Sequence, residues 1–268
     1  MCNDKLEVLI STMHRNSLEF IDKMFQNADV NSVNILVINQ TTKTNLLKSD
    51  RANIRVFNFF DKGISRSRNQ AIKNATSKYI LFTDDDVIFD PNFDQIILDA
   101  FKDETEAGFL VFKAKTLKGN DYRKYNDENF ELSKQSIEGV MSIEIACDLG
   151  KVKTTGVIFD ERFGIGSQFE TAEEYLFISQ LIKNNVRGYF CNQYIVSHSE
   201  YNSGKALGSD KIIYARSALA YKKYKSLAYF WVFKFVFFLI RKKFISLNEM
   251  FSKTKIGFKG IKDFKVSN

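Results

Sequence analysis

The sequence predicts an α/β fold in which a mostly parallel β-sheet is flanked by helices and followed by a basic helical extension. In the first half of the chain, nearly continuous apolar segments of strand length alternate with helical segments, which is typical of parallel strands covered on both faces. Charge is distributed unevenly along the chain. Residues 201–268 hold 15 Lys/Arg and 3 Asp/Glu, a net of +12. Residues 1–200 hold the remaining 24 Lys/Arg and 29 Asp/Glu, a net of −5. We therefore expect a main domain over 1–205 and an extension over 206–268.

The sequence pattern of the main domain predicts alternating strands and helices. Apolar residues at Leu18, Ile21, Met24 and Phe25 recur at helical spacing, and Pro91 stands near the start of another helical segment. The predicted strands are 6–12, 33–42, 53–60, 78–86, 106–117, 140–149 and 187–199, and the predicted helices are 17–28, 63–76, 92–103 and 171–185.

The extension is helical, aromatic and cationic over 211–225 and 226–244. Its longest apolar segment, Leu227–Ile240, has 14 residues and contains Lys234. A spanning helix needs roughly 20 apolar residues, so this pattern favours a helix lying in the interface of an anionic membrane. The alternative is a helix that packs on the main domain or on a second subunit.

The cysteines point to a reducing compartment. Cys2, Cys147 and Cys191 are odd in number and form no CxxC or zinc-type spacing. Three reduced thiols, and an N-terminus without the apolar run of a signal peptide, predict a cytoplasmic protein, peripheral at the inner face of the plasma membrane if the extension binds lipid.

Polar clusters follow the predicted strands at Ser11–Arg15, Asn39–Thr42 and Asp84–Asp86. In a parallel sheet these strand ends meet at one edge, where ligands bind. Three adjacent carboxylates repel one another, and a divalent cation such as Mn or Mg that carries phosphate oxygens would supply the missing positive charge. The alternative is an acidic turn that precedes the helix at 92–103.

Further candidate residues lie at helix starts and strand ends. Lys62, Arg66 and Arg68 stand where a loop enters a helix, a place suited to phosphate. Glu173 and Glu174 begin a helix, where a carboxylate can serve as a base or simply favour the helix dipole. His14 and His198 are each either a metal ligand or a structural polar residue.

Five segments together resemble the family 2 inverting glycosyltransferases of the Rossmann-like GT-A fold, in particular bacterial enzymes of capsular or other surface polysaccharides. The segments are "VLISTMHR", "ILVINQTT", "KGISRSRNQAI", "YILFTDDDVIFDPNF" and "FDERFGIGSQFETAEEYLFISQLIKNN". They occur in the family's order and spacing, and the resemblance covers about residues 6–200. Asn39–Gln40 replaces the family's usual Asp-Asp, and Met13 replaces its usual aromatic residue.

The resemblance implies a role for each matching residue. Asp86 would ligate the metal, Asp84 would hold the metal or the ribose, and His198 is a further metal ligand. Glu174 matches the catalytic base, with Glu173 as the alternative. Arg68 matches the arginine of the diphosphate region. The remaining residues assigned to the nucleotide sugar are Thr12, Met13, Arg15, Asn39, Lys62, Arg66 and Asp85.

The implied activity is metal-dependent transfer of a hexosyl or N-acetylhexosaminyl group from a UDP-linked donor to a saccharide or lipid-linked saccharide, with inversion. The rival activities are a sugar nucleotidyltransferase and a non-catalytic protein that binds nucleotide sugars or nucleic acid. The loop "STMHRN" lacks the glycines of a nucleotidyltransferase loop, and the acidic main domain opposes nucleic-acid binding. Both a monomer and an oligomer are compatible with the sequence.

Overall fold

A computed structural model describes residues 5–199 and 207–267. The chain divides into two compact units. We call Met1–Phe159 with Glu174–Glu200 the sheet unit, and Asp160–Glu173 with Tyr201–Asn268 the helical unit. Cys2 and the predicted domain boundary at 205/206 lie outside the described residues.

Nine strands form one sheet within residues 5–199. They are β1 Glu7–Met13, β2 Asn34–Gln40, β3 Ile54–Phe59, β4 Tyr79–Asp84, β5 Val87–Phe89, β6 Phe109–Thr116, β7 Phe130–Glu131, β8 Ile145–Asp148 and β9 Gly188–His198. Their order is β3-β2-β1-β4-β8-β6-β9-β5, and β7 pairs with β9.

The first four strands of this order, β3, β2, β1 and β4, are parallel, as the alternating sequence pattern predicts. Beyond β4 the sheet is mixed, because β8 runs antiparallel to both β4 and β6. β9 pairs parallel with β6, and β5 pairs antiparallel with β9. The α/β sheet flanked by helices is thus confirmed, with a parallel half and a mixed half.

Helices cover both faces of the sheet. They are α1 Glu19–Met24, α2 Ile64–Asn74, α3 Phe93–Asp103, α4 Leu149–Thr155 and α5 Glu173–Lys183. Because side chains alternate along a strand, Val8 and Ile10 of β1 pack into one apolar cluster, and Leu9 packs into the other. The two faces of the sheet therefore each carry a core.

Every predicted strand and helix of the main domain is present, although several are shorter than their sequence patterns. The predicted strand at 140–149 differs most: a 3-10 turn at Ser142–Glu144 precedes β8. The short strands β5 and β7 and the helix α4 were not predicted. Three or fewer residues in each of the two strands offer too little periodicity to detect.

The helical unit contains three helices in the described part of the C-terminal region: α6 Asp210–Tyr224, α7 Ala228–Arg241 and α8 Met250–Val266. The first two confirm the predicted helical segments, and α8 was not predicted. Gly260 lets α8 approach α6 closely, since a Cβ there would lie 2.2 Å from the Tyr214 carbonyl oxygen. Phe163 and Phe169 also contact the Phe264 ring. Among the described residues, no helix combines the length and the apolarity that crossing a membrane requires.

Candidate active site

The three adjacent carboxylates lie at the end of β4 and in the turn that follows it. Asp84 is the last residue of β4, and its partner across the parallel pair is Ser11 of β1. Thr12 of β1 lies opposite Asn39 of β2. The strand-end clusters that the sequence predicts to converge are therefore side by side at one edge of the sheet.

Asp85 is neutralised by the protein itself. The Arg15 Nε lies 2.7 Å from Asp85 Oδ2, and the Thr12 hydroxyl donates a hydrogen bond to the same oxygen. The Arg15 guanidinium also lies over the Phe20 ring. This arrangement ties the loop after β1 to the acidic turn, and it compensates one of the three like charges.

Asn39 fixes the backbone of Arg15 in the loop after β1. It is fully buried, and its Oδ1 accepts the Arg15 backbone N–H at 3.1 Å. Its Nδ2 donates to the Arg15 carbonyl and to Asn58 Oδ1, each at 3.0 Å. These bonds use both donors of the amide, so what the structure describes is a positioning role, and contact of Asn39 with a base or ribose stays a prediction. The neighbouring Gln40 is also buried, and its Oε1 makes no hydrogen bond within the described chain.

His198 and Asp86 are brought together by sheet pairing. His198 ends β9 and lies opposite Val87 of β5, one residue after Asp86. His198 Nε2 is 3.2 Å from Asp86 Oδ1, while Nδ1 donates to the Ser199 carbonyl at 2.8 Å. The hydrogen bond from His198 lowers the pKa of Asp86, and the same bond raises the pKa of His198. Two of the three predicted metal ligands, Asp86 and His198, thus adjoin one another.

The donor set at this point fits Mn or Mg. In the neutral ring, an imidazole that donates its Nδ1 proton to a backbone carbonyl has its Nε2 lone pair available for a cation, which would replace the proton shared with Asp86, and carboxylate oxygens suit these hard cations. Within residues 5–199 and 207–267, no group of three or more His, Cys, Asp or Glu side chains is arranged to hold a metal ion on its own. Ions of this kind keep water and substrate phosphate oxygens as ligands, so an incomplete protein set is compatible with the predicted site.

Arg68 joins two parts of the candidate site. It lies in α2 and is only 3% exposed. Its Nη2 donates to Ser142 Oγ at 2.7 Å and lies 3.4 Å from Asp84 Oδ1, while its Nη1 lies 3.2 Å from Glu174 Oε1. Its guanidinium also lies over the Phe159 ring. Arg68 therefore holds the acidic turn and the start of α5 together, and its direct contact with a diphosphate stays a prediction.

The start of α2 is anchored next to β1. Gly63 precedes the helix with φ +117°, a backbone conformation that side chains with a Cβ rarely adopt. The buried Ser67 hydroxyl then donates to Ser11 Oγ at 2.9 Å. Lys62 is exposed just before this turn, and Arg66 pairs with Asp61. Lys62 and Arg66 thus lie on the solvent side of the helix start, whereas Arg68 is buried.

The two glutamates at the start of α5 differ in burial. Glu173 is buried, whereas the Glu174 side chain keeps 18% of its surface exposed while it contacts Arg68. Of two neighbouring carboxylates, the one with more accessible surface is better able to meet an acceptor directly. This difference supports Glu174 over Glu173 for contact with an acceptor.

A second buried polar cluster escaped the sequence analysis. Glu144 is fully buried, and it pairs with Arg123, whose Nη2 lies 2.8 Å from Glu144 Oε2. The Tyr125 hydroxyl donates to Glu144 Oε1 at 2.5 Å. Burial raises the pKa of Glu144, and the bonds from Arg123 and Tyr125 oppose that rise. The 3-10 turn that contains Glu144 also contains Ser142, the partner of Arg68. The buried cluster therefore helps to hold Ser142 in position at the candidate site.

The signals for Ser142, Glu144 and Phe159 were weak in the sequence. Ser142 and Glu144 fall in "VMSIEI", which reads as an ordinary strand, and Phe159 lies in an irregular segment. A charged residue in the middle of an apolar strand pattern, as Glu144 is, was the one available hint, because charges are rarely buried without a partner.

Comparison with known proteins finds one family model and several solved structures. The model of glycosyl transferase family 2 matches residues 44–151, a segment that includes Arg68 and the three carboxylates but ends before Glu174 and His198. Among curated proteins, none matches this chain in sequence.

Solved structures of S. aureus TarS share the fold. TarS 1-349 is 15% identical, with a TM-score of 0.58 over 96% of this chain and 81% of that chain. The same fragment in complex with UDP-GlcNAc is 15% identical, with a TM-score of 0.56 over 97% of this chain and 80% of that chain. A longer TarS chain is 18% identical, with a TM-score of 0.54, and the match covers 81% of this chain and 40% of that one. The matched segment supports a glycosyltransferase of family 2, and the solved structures show the shared GT-A fold.

Proposed function

We propose that the protein transfers a sugar from a nucleotide-sugar donor to a hydroxyl of a saccharide acceptor, with inversion at the anomeric carbon. The observation that carries the proposal is the position of Arg68, which contacts both Asp84 and Glu174. Glu174 follows Arg68 by 106 positions. A carboxylate suited to general-base work thus shares its arginine partner with the acidic turn, which supports the proposal.

The donor is proposed to be UDP-linked, with a hexosyl or N-acetylhexosaminyl group. Support comes from TarS, whose solved complexes contain UDP and UDP-GlcNAc. On this chain, Met13 is exposed at the end of β1, and Gln40 ends β2 with its side-chain Oε1 buried and without a hydrogen bond among the described residues. We propose that Thr12 and Met13 adjoin the base and that Gln40 replaces a carboxylate with an amide in the same region.

Asp86 and His198 are the residues proposed to hold Mn or Mg, with Asp84, which contacts Arg68, as the third proposed ligand. When bound, the ion would offset the negative charge that develops on the leaving nucleoside diphosphate. Arg15 is a half-buried cation after β1, and Lys62 is an exposed cation before α2; they would meet the phosphates from the solvent side. Asp85 is not a proposed ligand, because Arg15 and Thr12 already use its Oδ2.

Glu174 is the proposed base. Its carboxylate would take the proton from the acceptor hydroxyl while the hydroxyl oxygen attacks the anomeric carbon opposite the leaving diphosphate. The carbon–oxygen bond to the diphosphate breaks as the new glycosidic bond forms. Arg68 positions this carboxylate and does not itself need to touch substrate, which agrees with its burial.

The biological setting is proposed to be the synthesis of a bacterial surface polysaccharide on a saccharide or lipid-linked saccharide. Free, buried thiols at Cys147 and Cys191 fit a reducing cytoplasm. Burial raises the pKa of the Cys191 thiol to about 12, which makes that thiol chemically inert.

Calorimetric titration with nucleoside diphosphates tests the donor and the metal together. We expect UDP to bind in the presence of Mn or Mg and much more weakly with a chelator. Asp86→Asn should lose the metal-dependent part, whereas Asp99→Asn, a matched change of an exposed carboxylate on α3, should keep it. A panel of nucleotide sugars then identifies the donor by release of the diphosphate. If no nucleoside diphosphate binds with either metal, the proposed function is wrong.

A further inference from the structure

Helix α7 in the helical unit is apolar on two opposite faces. Its inner face consists of the buried side chains Ala228, Val232, Phe235, Val236 and Leu239. This face packs in a cluster with residues of α6 and α8, among them Ile213 and Ile261. A surface helix of a water-exposed protein normally carries polar residues on the opposite face, and α7 does not follow that rule.

The outer face of α7 carries large aromatic side chains that are open to solvent. Phe230 is 67% exposed, Phe233 54% and Phe237 66%. Their spacing of three, four and seven positions places them on one side of the helix. Leu227 and Phe238 are exposed beside them. A contiguous apolar surface of this kind marks a site of interaction, because single scattered apolar residues and not clusters are the norm on a monomer.

Cations stand within this aromatic face. Lys234 follows Phe230 by four positions, and Arg241 follows Phe237 by four, so both side chains share the outer face. Lys242 and Lys243 continue the series and are exposed. The sequence between Asp210 and Glu249 contains 9 Lys/Arg and no Asp/Glu. The partner of this face must therefore be anionic as well as apolar.

A second copy of this chain fits the outer face poorly. A two-fold contact places the same patch on both sides, so Lys234 and Arg241 would meet the identical cations of the other copy. The face has no acid of its own to pair with them, and burying unpaired like charges is costly. A lipid surface avoids this conflict, since long cationic side chains extend from an apolar helix face to phosphate groups while their stems stay in the apolar layer.

We propose that the outer face of α7 binds the surface of a membrane that contains anionic phospholipid. The helix would lie parallel to the membrane, because its 14 residues extend only about 21 Å, less than the roughly 30 Å of the hydrocarbon layer. Phe230, Phe233 and Phe237 enter the interface, and Lys234 and Arg241 meet lipid phosphates. This inference stands on the helical unit alone and does not depend on the proposed transferase activity.

Flotation of the full chain with vesicles tests the proposal. We expect binding to vesicles of phosphatidylcholine with phosphatidylglycerol, weaker binding to phosphatidylcholine alone, and a loss of binding in high salt. Phe230→Ser with Phe237→Ser should weaken binding by about tenfold or more, since both side chains leave the interface. The control is Leu117→Ser with Ile165→Ser, which removes two apolar side chains that are 59% and 73% exposed.

A charge-matched pair of variants tests the cations separately. Lys234→Gln with Arg241→Gln should weaken binding to the anionic vesicles by roughly tenfold. Lys262→Gln with Lys265→Gln removes the same charge from exposed positions of α8 and should change binding much less. All four variants alter exposed side chains, and thermal unfolding checks that each one folds.

Three results would overturn the proposal. One is equal flotation of the α7 variants and their controls. Another is failure of the folded wild-type chain to bind either kind of vesicle. The third is a dimer that the Phe230/Phe237 variant dissociates, seen by sedimentation, with lipid binding unchanged; this result would assign the outer face to a second copy.

Discussion

The candidate site in the sheet unit and the outer face of α7 in the helical unit differ in whether their side chains have partners within the chain. At the strand ends, charged side chains meet partners from distant parts of the sequence: Asp85 meets Arg15, and Arg68 meets Glu174. On α7, large aromatic side chains are instead exposed to solvent. The first arrangement orders groups in advance of a substrate, and the second leaves apolar surface for a partner outside the chain.

This difference teaches how each region should respond to mutation. In the sheet unit, the polar contacts are internal, so removing one partner leaves another charge without compensation and affects stability or turnover. On the outer face of α7, removing an aromatic side chain leaves the internal packing in place and should affect only association. The predictions below probe that contrast, beginning with the largest effect.

Glu174→Gln should lower sugar transfer by about 10²–10⁴-fold, because the amide cannot accept the acceptor's proton. Donor binding should be retained, since the change keeps the side-chain shape and leaves Asp84, Asp86 and His198 in place. Steady-state release of nucleoside diphosphate measures the first effect, and calorimetry measures the second.

Glu173→Gln is the matched control for that experiment. It changes the neighbouring, buried carboxylate in the same way and should leave most of the activity. A large loss in Glu173→Gln together with full turnover in Glu174→Gln would transfer the role of base to Glu173.

Arg123→Met should destabilise the sheet unit by about 3 kcal/mol, because Glu144 is left buried without its cation. Arg187→Met is the control: it breaks another Arg–Glu pair of the same unit, with Glu131, in which both side chains are about half exposed. That variant should unfold almost as the wild type does, because exposed ion pairs contribute little. Calorimetric unfolding of both variants makes the comparison, and equal losses would contradict it.

The sequence was sufficient to predict seven of the nine strands in residues 5–199, the acidic turn and the convergence of strand ends, because apolar periodicity marks the strands and parallel topology brings their ends to one edge. It was not sufficient for the Glu144 cluster. Arg123 and Tyr125 lie 21 and 19 positions before their partner, across a segment with no regular periodicity. Contacts of this kind depend on how the chain closes, which short-range patterns do not encode.

Helix α8 was missed for a different reason. Gly257 and Gly260 lower its helix propensity, so the segment reads as irregular. The structure shows why glycine stands there: a Cβ at Gly260 would collide with the Tyr214 carbonyl, and one at Gly257 would lie 2.6 Å from Val232 Cγ1. Tertiary packing thus requires a residue that local propensity disfavours.

Leu239→Ala and Phe237→Ser compare the two faces of α7. Leu239 is fully buried, and its truncation should cost about 3 kcal/mol of unfolding free energy. Phe237 lies on the exposed face, and its change should stay within about 0.5 kcal/mol. Trp231, the only tryptophan, lies in α7 and stacks on Phe235, so its fluorescence reports unfolding of this unit. A similar loss in both variants would show that the outer face is part of the folded core.

Asp160→Asn tests a carboxylate of the helical unit that pairs with both Arg162 and Lys222. Burial alone would raise the pKa of Asp160, but the hydrogen bonds from Arg162 and Lys222 outweigh it and lower the pKa to about 2, below the ordinary value of 3.8. A lowered pKa contributes stability that is present above pH 3.8 and is lost as the pH falls toward 2. At pH 7 the variant should therefore be about 1–2 kcal/mol less stable than the wild type. Urea unfolding followed by Trp231 fluorescence should show this gap narrowing below pH 4. The control is Asp210→Asn, which changes a carboxylate of the same unit whose side chain is 65% exposed. A difference in unfolding free energy for Asp160→Asn that stays constant down to pH 2 would contradict the assigned role of the Asp160 charge.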